Sequence, residues 1–183
     1  VENPSIVYTP NFESEFADYL LKITKLKPLL VQGKWVYFPW CSTLTHILDD
    51  KQFQTVRTAR NRNLINREEQ EKFYNSVVGI GGLSIGNSVA LAIVLQGGAR
   101  RIRLADHDRL ALSNINRIRA GVDNLGLAKV EMTARQIYII NPYAQVELFS
   151  DGLTKENIKK FFSGPPKLDV VVDELDNIAI KYL

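Results

Sequence analysis

The sequence predicts an α/β protein, a doubly wound, mainly parallel sheet cut short at its C-terminal side and preceded by a small α+β region. Three observations carry that expectation. The β-branched run Val77 to Ile80 enters the glycine-rich turn Gly81-Gly82-Leu83-Ser84-Ile85-Gly86. An apolar stretch of helical length comes next, and a second β-prone run, Arg101 to Ala105, then ends on Asp106. Strand, glycine turn, helix, and strand with an acidic end outline a nucleotide-binding βαβ unit.

Residues 1–60 differ in texture from the rest of the chain, so the expected division is a small N-terminal region, 1–60, and a main domain, 61–183. Phe16, Tyr19, Leu20 and Ile23 recur at helical spacing. The run Leu29 to Phe38 holds two β-prone stretches around Gln32-Gly33, which predicts a hairpin. Trp35, Tyr37, Phe38 and Trp40 are expected to form an aromatic mini-core or a docking face on the main domain. Asp49-Asp50 precedes Phe53 and Val56 as the cap of a helix. Asn66, three residues before Glu69, forms a capping box for a helix over 67–74.

In the main domain the strands are expected at 77–80, 101–105, 145–149 and 168–172. The helix at about 86–96 is apolar nearly all round, which predicts burial against the sheet until Gly97-Gly98 ends it. A second helix, about 127–140, stops at Asn141-Pro142. Asp151-Gly152 turns the chain, and Thr154 caps a helix containing Ile158, Phe161 and Phe162. The run Leu168 to Val172 reads as a strand buried on both faces. The chain then reaches residue 183 where a helix is expected to start.

Composition narrows the function. With 45% hydrophobic and 23% charged residues the chain is a soluble globular type, not a disordered or fibrous one. The net charge of +3, without a nucleic-acid-binding motif, fits a solvated face or an anion site better than a nucleic-acid surface. A single cysteine, Cys41, leaves no internal disulfide or cysteine zinc cluster and makes the cytoplasm the expected compartment. Cys41 itself is expected to be small and buried. No apolar run reaches membrane-spanning length, so no membrane partner is expected.

A Rossmann-like sheet with strand order 3-2-1-4 would bind ligands over the carboxyl ends of its strands. That brings the glycine turn, Asp106 and Asp173-Glu-Leu-Asp176 around one crevice. A strict G-x-G-x-x-G frame from Gly79 fails at Ser84. A frame from Gly82 puts Gly79 inside the strand and leaves Gly81, Gly82, Ser84 and Gly86 to let a phosphate approach the helix N-terminus. Asp106 is placed for ribose hydroxyls. Asn114, Arg117 and Lys129 add an amide and two cations, as a polyphosphate with transferring charge requires. Asp173 and Asp176 could hold magnesium. His46 and His107 fit no catalytic pattern and read as surface or loop residues.

These residues resemble the ThiF/MoeB-type, ubiquitin-activating-enzyme-like adenylyltransferases from about Arg60 onward. The specific part is Asp106-His-Asp108 with Ser113-Asn-Ile-Asn-Arg117, Lys129 and Asp173-Glu-Leu-Asp-Asn177; Ser84 departs from the usual glycine-rich turn. The resemblance implies an enzyme that binds Mg-ATP, with ATP and Mg2+ as cofactors, and adenylates a carboxylate. The acyl donor it implies is the C-terminal glycine of a ubiquitin-like or sulfur-carrier protein. Asp106, with Asp108 beside it, would bind ribose, and Asn114, Arg117 and Lys129 the phosphates. Asp176 would hold the metal, and Arg62 or Arg60 would reach the γ-phosphate from the partner subunit of a homodimer. Two other readings stay open: a non-catalytic dimerising or carrier-docking partner of the same fold, and an NAD-dependent oxidoreductase.

Overall fold

Residues 10–182 are described in the computed structural model, and the chain divides after Phe53 into two compact units. In the first, α1 (Phe12–Leu26) begins with Glu13 and Glu15 and has Lys25 in its last turn, an order that suits the helix dipole. The expected hairpin around Gln32-Gly33 is corrected. Leu29–Val31 is a 3-10 turn, and β1 (Lys34–Phe38) pairs instead with β2 (Thr43–Ile47), in antiparallel register Lys34↔Ile47 to Phe38↔Thr43.

The reason is local. Pro39 has no N–H to continue a ladder, so β1 ends there, and Ser42 closes the turn in the left-handed region at φ 50°. Cys41 lies in that turn and is exposed, against expectation, its thiol donating to Phe38 O at 3.7 Å. Of the four aromatics only Phe38 is buried, edge-on to Trp40; Trp35 is half exposed and stacks on His46.

Helix α2 (Asp50–Arg57) is capped as expected, Gln52 N–H donating to Asp49 Oδ1 at 3.1 Å. A 3-10 turn, Ala59–Asn63, leads to α3 (Arg67–Asn75). Its capping box is complete: Glu69 N–H donates to Asn66 Oδ1 at 2.9 Å and Asn66 N–H to Glu69 Oε2 at 2.8 Å.

The second unit is a parallel sheet of β3 (Val77–Gly81), β4 (Arg101–Ala105), β5 (Gln145–Phe149) and β6 (Val170–Asp173), in the expected order β5-β4-β3-β6. Helices α4 (Gly86–Leu95) and α5 (Lys129–Ile140) cover one face over Val78, Ile80, Ile102 and Leu104. The short α6 (Ile158–Ser163) covers the other through Phe161, against Phe149 and Leu153, and α7 (Ile178–Lys181) comes after β6. Among the described residues no helix is long and apolar enough to cross a membrane.

One burial expectation is met on a single face and one changes. Helix α4 buries Ala90, Leu91 and Val94 but exposes Ala92 and Leu95, so it lies on the sheet without being enclosed. Strand β6 is not buried on both faces: Val170 and Val171 are 49% and 43% exposed. It is an edge strand paired with β3, and α6 is too short to roof it.

Arg103 is the reverse surprise, a charged residue buried at the centre of the sheet. It donates to Glu147 at 3.0 Å and to the carbonyls of Phe161, Gly164 and Pro166 at 2.7–2.9 Å. Every partner is an acceptor, which offsets the desolvation of the guanidinium. The chain from α6 to β6 is thereby tied to the sheet.

Candidate active site

The carboxyl ends of β3, β4 and β6 bring the glycine turn, Asp106 and the Asp173–Asp176 turn together. Two main-chain ties and one to a side chain do this. Gly82 N–H donates to Ala105 O at 2.8 Å, Glu174 N–H to Gly81 O at 2.8 Å, and Leu83 N–H to Asp106 Oδ2 at 2.6 Å. The turn is thus gripped by the strand on either side.

Two of the glycines are required by that grip. Gly82 has φ +85°, and a Cβ there would lie 2.2 Å from the Glu174 carbonyl oxygen. At Gly86 a Cβ would press on Ile80 Cγ2 at 2.9 Å. Gly79 lies inside β3 and Gly81 ends it. Helix α4 opens at Gly86 with no side-chain cap; Ser88 and Val89 N–H donate to Ile85 O, so among the described residues the Gly86 and Asn87 N–H groups are the ones left available to an anion.

Asp106 is buried, and both carboxylate oxygens receive backbone protons, Oδ2 from Leu83 and Oδ1 from Asp108 at 2.8 Å. Each oxygen retains a lone pair for a further donor. Lys129, the first residue of α5, is only 3% exposed. Its Nζ lies 2.6 Å from Asp108 Oδ2, 3.3 Å from Ser84 Oγ and 4.0 Å from Asp106 Oδ2. The Lys129 hydrogen bond holds the Asp108 carboxyl below its ordinary range.

Asn114 and Arg117 sit on the loop between β4 and α5. Lys129 N–H donates to Asp108 O at 2.9 Å, Gly126 N–H to Leu110 O and Leu110 N–H to Leu127 O, closing the loop at its feet. Leu110, Ile118 and Met132 form a small core beneath it. The Asn114 carbonyl accepts from Ala111 N–H, which leaves its amide protons for a ligand. Arg117 is exposed and, among the described residues, bonds only to its own loop, at Ser113 O and Asn116 Oδ1.

The two expected metal ligands differ. Asp173 is engaged, Oδ2 with Lys181 at 3.2 Å and Oδ1 accepting from Leu175 N–H at 3.1 Å. Asp176 is exposed and has no partner among the described residues. A hard, unpaired carboxylate of that kind fits magnesium, which takes one or two carboxylates along with water and phosphate oxygens.

Arg62 and Arg60 are not brought to this crevice. Their 3-10 turn is fastened to the other end of α4: Asn61 donates to Gln96 O at 2.9 Å, Gln70 to Gly97 O at 3.0 Å, and Arg57 to Val94 O. The ten residues of α4 separate that end from the glycine turn by about 15 Å. His107 and His46 are exposed, as expected; His107 lies against Gly152.

The sequence profile of the ThiF family matches residues 58–183. The chain belongs to the ThiF family. An uncharacterized protein of Mycobacterium tuberculosis is 38% identical over 187 residues, covering 99% of this chain and 25% of that protein. Ubiquitin-like modifier-activating enzyme 5 of Drosophila ananassae is 27% identical over 146 residues, covering 74% and 36%. Among solved structures, E. coli tRNA N6-threonylcarbamoyladenosine dehydratase in complex with ATP superposes with a TM-score of 0.64 at 28% identity, over 72% of this chain and 53% of that one. This ThiF chain thus spans between a quarter and about half the length of these relatives.

Proposed function

We propose that this ThiF-family chain binds Mg-ATP and adenylates a carboxylate, the C-terminal glycine of a ubiquitin-like or sulfur-carrier protein. The observation that carries the reading is the buried Lys129, whose ammonium sits between the glycine turn and two aspartates at the strand ends. A cation placed there meets the charge that develops on a transferring phosphoryl group. A hydride transfer would leave it, with Asn114 and Arg117, without a task.

In this reading a carboxylate oxygen attacks the α-phosphorus, the bond from that phosphorus to the bridging oxygen of the β-phosphate breaks, and pyrophosphate leaves with the electron pair. Asp106 accepts from the ribose hydroxyls, and Asp108 holds Lys129 in place. Lys129 and Arg117 neutralise the phosphates and the Asn114 amide donates to them, with the Gly86 and Asn87 N–H groups at the glycine turn Gly81, Gly82, Ser84 and Gly86. Magnesium, when bound, supplies further charge neutralisation at the phosphates; Asp176 would hold it while Asp173 fixes the turn. Arg62, or Arg60, belongs to the site of a second copy, so the functional unit is a homodimer. The cytoplasm supplies the ATP.

The carrier substrate draws on the likeness to ubiquitin-like modifier-activating enzyme 5. A second reading draws on the ATP complex of the tRNA N6-threonylcarbamoyladenosine dehydratase: the carboxylate then lies on a modified tRNA nucleoside, activated by the same step. ATP–pyrophosphate exchange separates the two, with a carrier protein in one arm and modified tRNA in the other. Lys129→Ala, Arg117→Ala and Asp176→Ala should each lower exchange about a hundred-fold. Parent-like exchange in all three variants, or tighter binding of NAD than ATP, would sink the adenylation reading.

A further inference from the structure

We propose that Ser84 is a phosphate-contacting residue of this site: its hydroxyl holds the Lys129 ammonium from the turn side and gives its own proton to a phosphate oxygen of the nucleotide. The inference rests on the nucleotide reading above and concerns the position where this chain departs from the usual glycine-rich turn. An ammonium has three protons and no lone pair, so in the 3.3 Å contact Lys129 Nζ donates and Ser84 Oγ accepts. The hydroxyl proton is therefore uncommitted. Among the described residues the Ser84 side chain has no other partner.

The placement favours a ligand as acceptor. Ser84 is half-buried in the turn, two residues before Gly86, where α4 opens without a side-chain cap. Its free proton thus joins the Gly86 and Asn87 N–H groups as a donor beside the same anion site. Ser84 also balances Lys129. Both carboxylates near Nζ, Asp108 at 2.6 Å and Asp106 at 4.0 Å, belong to the end of β4. Among the described residues Ser84 Oγ is the one side-chain oxygen that draws the ammonium toward the turn. A glycine at this position would remove both the counter-pull and the donor.

The test is calorimetric binding of Mg-ATP and of adenosine to the full chain and to Ser84→Ala, Ser84→Gly and Ser84→Thr, with melting temperatures in parallel. Ser84→Ala and Ser84→Gly should weaken Mg-ATP about ten-fold, the loss of one hydrogen bond to a charged group. Adenosine affinity and melting temperature should hold, and Ser84→Thr, which keeps the hydroxyl, should bind like the parent. Parent-like Mg-ATP binding by Ser84→Ala overturns the Ser84 assignment alone. Equal weakening of adenosine and Mg-ATP overturns it too, since that reports a distorted turn. If Ser84→Ala melts early, Ser84→Thr decides, and binding as weak as that of Ser84→Ala overturns the proposal. A parent that binds no Mg-ATP overturns this proposal together with the nucleotide reading.

Discussion

Replacing Gly82 by alanine tests the way the site is held, and Gly126→Ala provides its control. Both glycines have a left-handed backbone, φ +85° and +82°, so each alanine carries the same conformational strain, about 1–2 kcal/mol. Their surroundings differ. At Gly126 nothing lies within 4 Å of an added Cβ, whereas at Gly82 the Cβ meets Glu174 O at 2.2 Å and Glu174 C at 2.6 Å. Backbone cannot rotate away as a side chain can, so the Asp173–Asp176 turn must shift, at about 1–3 kcal/mol more. At roughly 4 °C per kcal/mol for a domain of this size, Gly126→Ala should melt about 4–8 °C below the parent and Gly82→Ala about 8–20 °C below it. Thermal melts monitored by circular dichroism read both. Because the shift displaces Asp176, Gly82→Ala should also lose Mg-ATP affinity, and Gly126→Ala should not. If the two variants melt together, the glycine turn is not pressed against Glu174 and the grip is not what holds the site.

Other expectations concern charge. Arg103→Met leaves Glu147 with Lys160 as its remaining partner and strips the carbonyls of Phe161, Gly164 and Pro166 of their donor, at a cost of about 3–5 kcal/mol, measured by urea unfolding. A loss under about 1 kcal/mol would mean that the clamp contributes little. The Asp108 carboxyl titrates below its ordinary value of 3.8 because Lys129 bonds its charged form, so the pair's contribution is complete above about pH 4 and fades as pH falls through the depressed folded value. Asp108→Asn should therefore flatten the acid limb of a melting-temperature profile and leave the neutral region parallel to the parent. An acid limb as steep as the parent's would remove Asp108 from that role.

Periodicity and turn chemistry made the sheet legible. Val77 to Ile80, Arg101 to Ala105 and their glycine and proline punctuation place the strands, and the order comes from right-handed crossovers. The Asn66–Glu69 box was legible for the same reason, since both partners lie within one turn of chain. What was not legible depends on contacts distant in sequence. Arg103 alternates with Ile102 and Leu104 as a solvent-facing residue would, and only the carbonyls sixty residues on make its burial tenable. The hairpin was misplaced because Gln32-Gly33 looks like a turn, while Pro39 and the β-branched Thr43, Thr45 and Ile47 outweigh it. At the site, the clustering of the glycine turn with Asp106 and Glu174 is a consequence of strand order, whereas the position of Arg62 depends on amides, Asn61 and Gln70, that reach the far end of α4.

The knitted feet of the loop between β4 and α5 bear on how this surface can vary. Asn114 and Arg117 lie on the side of the loop that leaves Asp108, whereas Gly121 to Leu125 form an exposed tip on the returning side. The feet are closed by main-chain bonds, and Ile118 anchors the span between the polar residues and the tip. Added length at 121–125 would therefore cost only the entropy of a longer ring, about 0.6 kcal/mol for a doubling, and would leave the Lys129–Asp108 junction in register. The tip is a natural place for length polymorphism, where a segment can be gained or exchanged without disturbing the side chains beneath it.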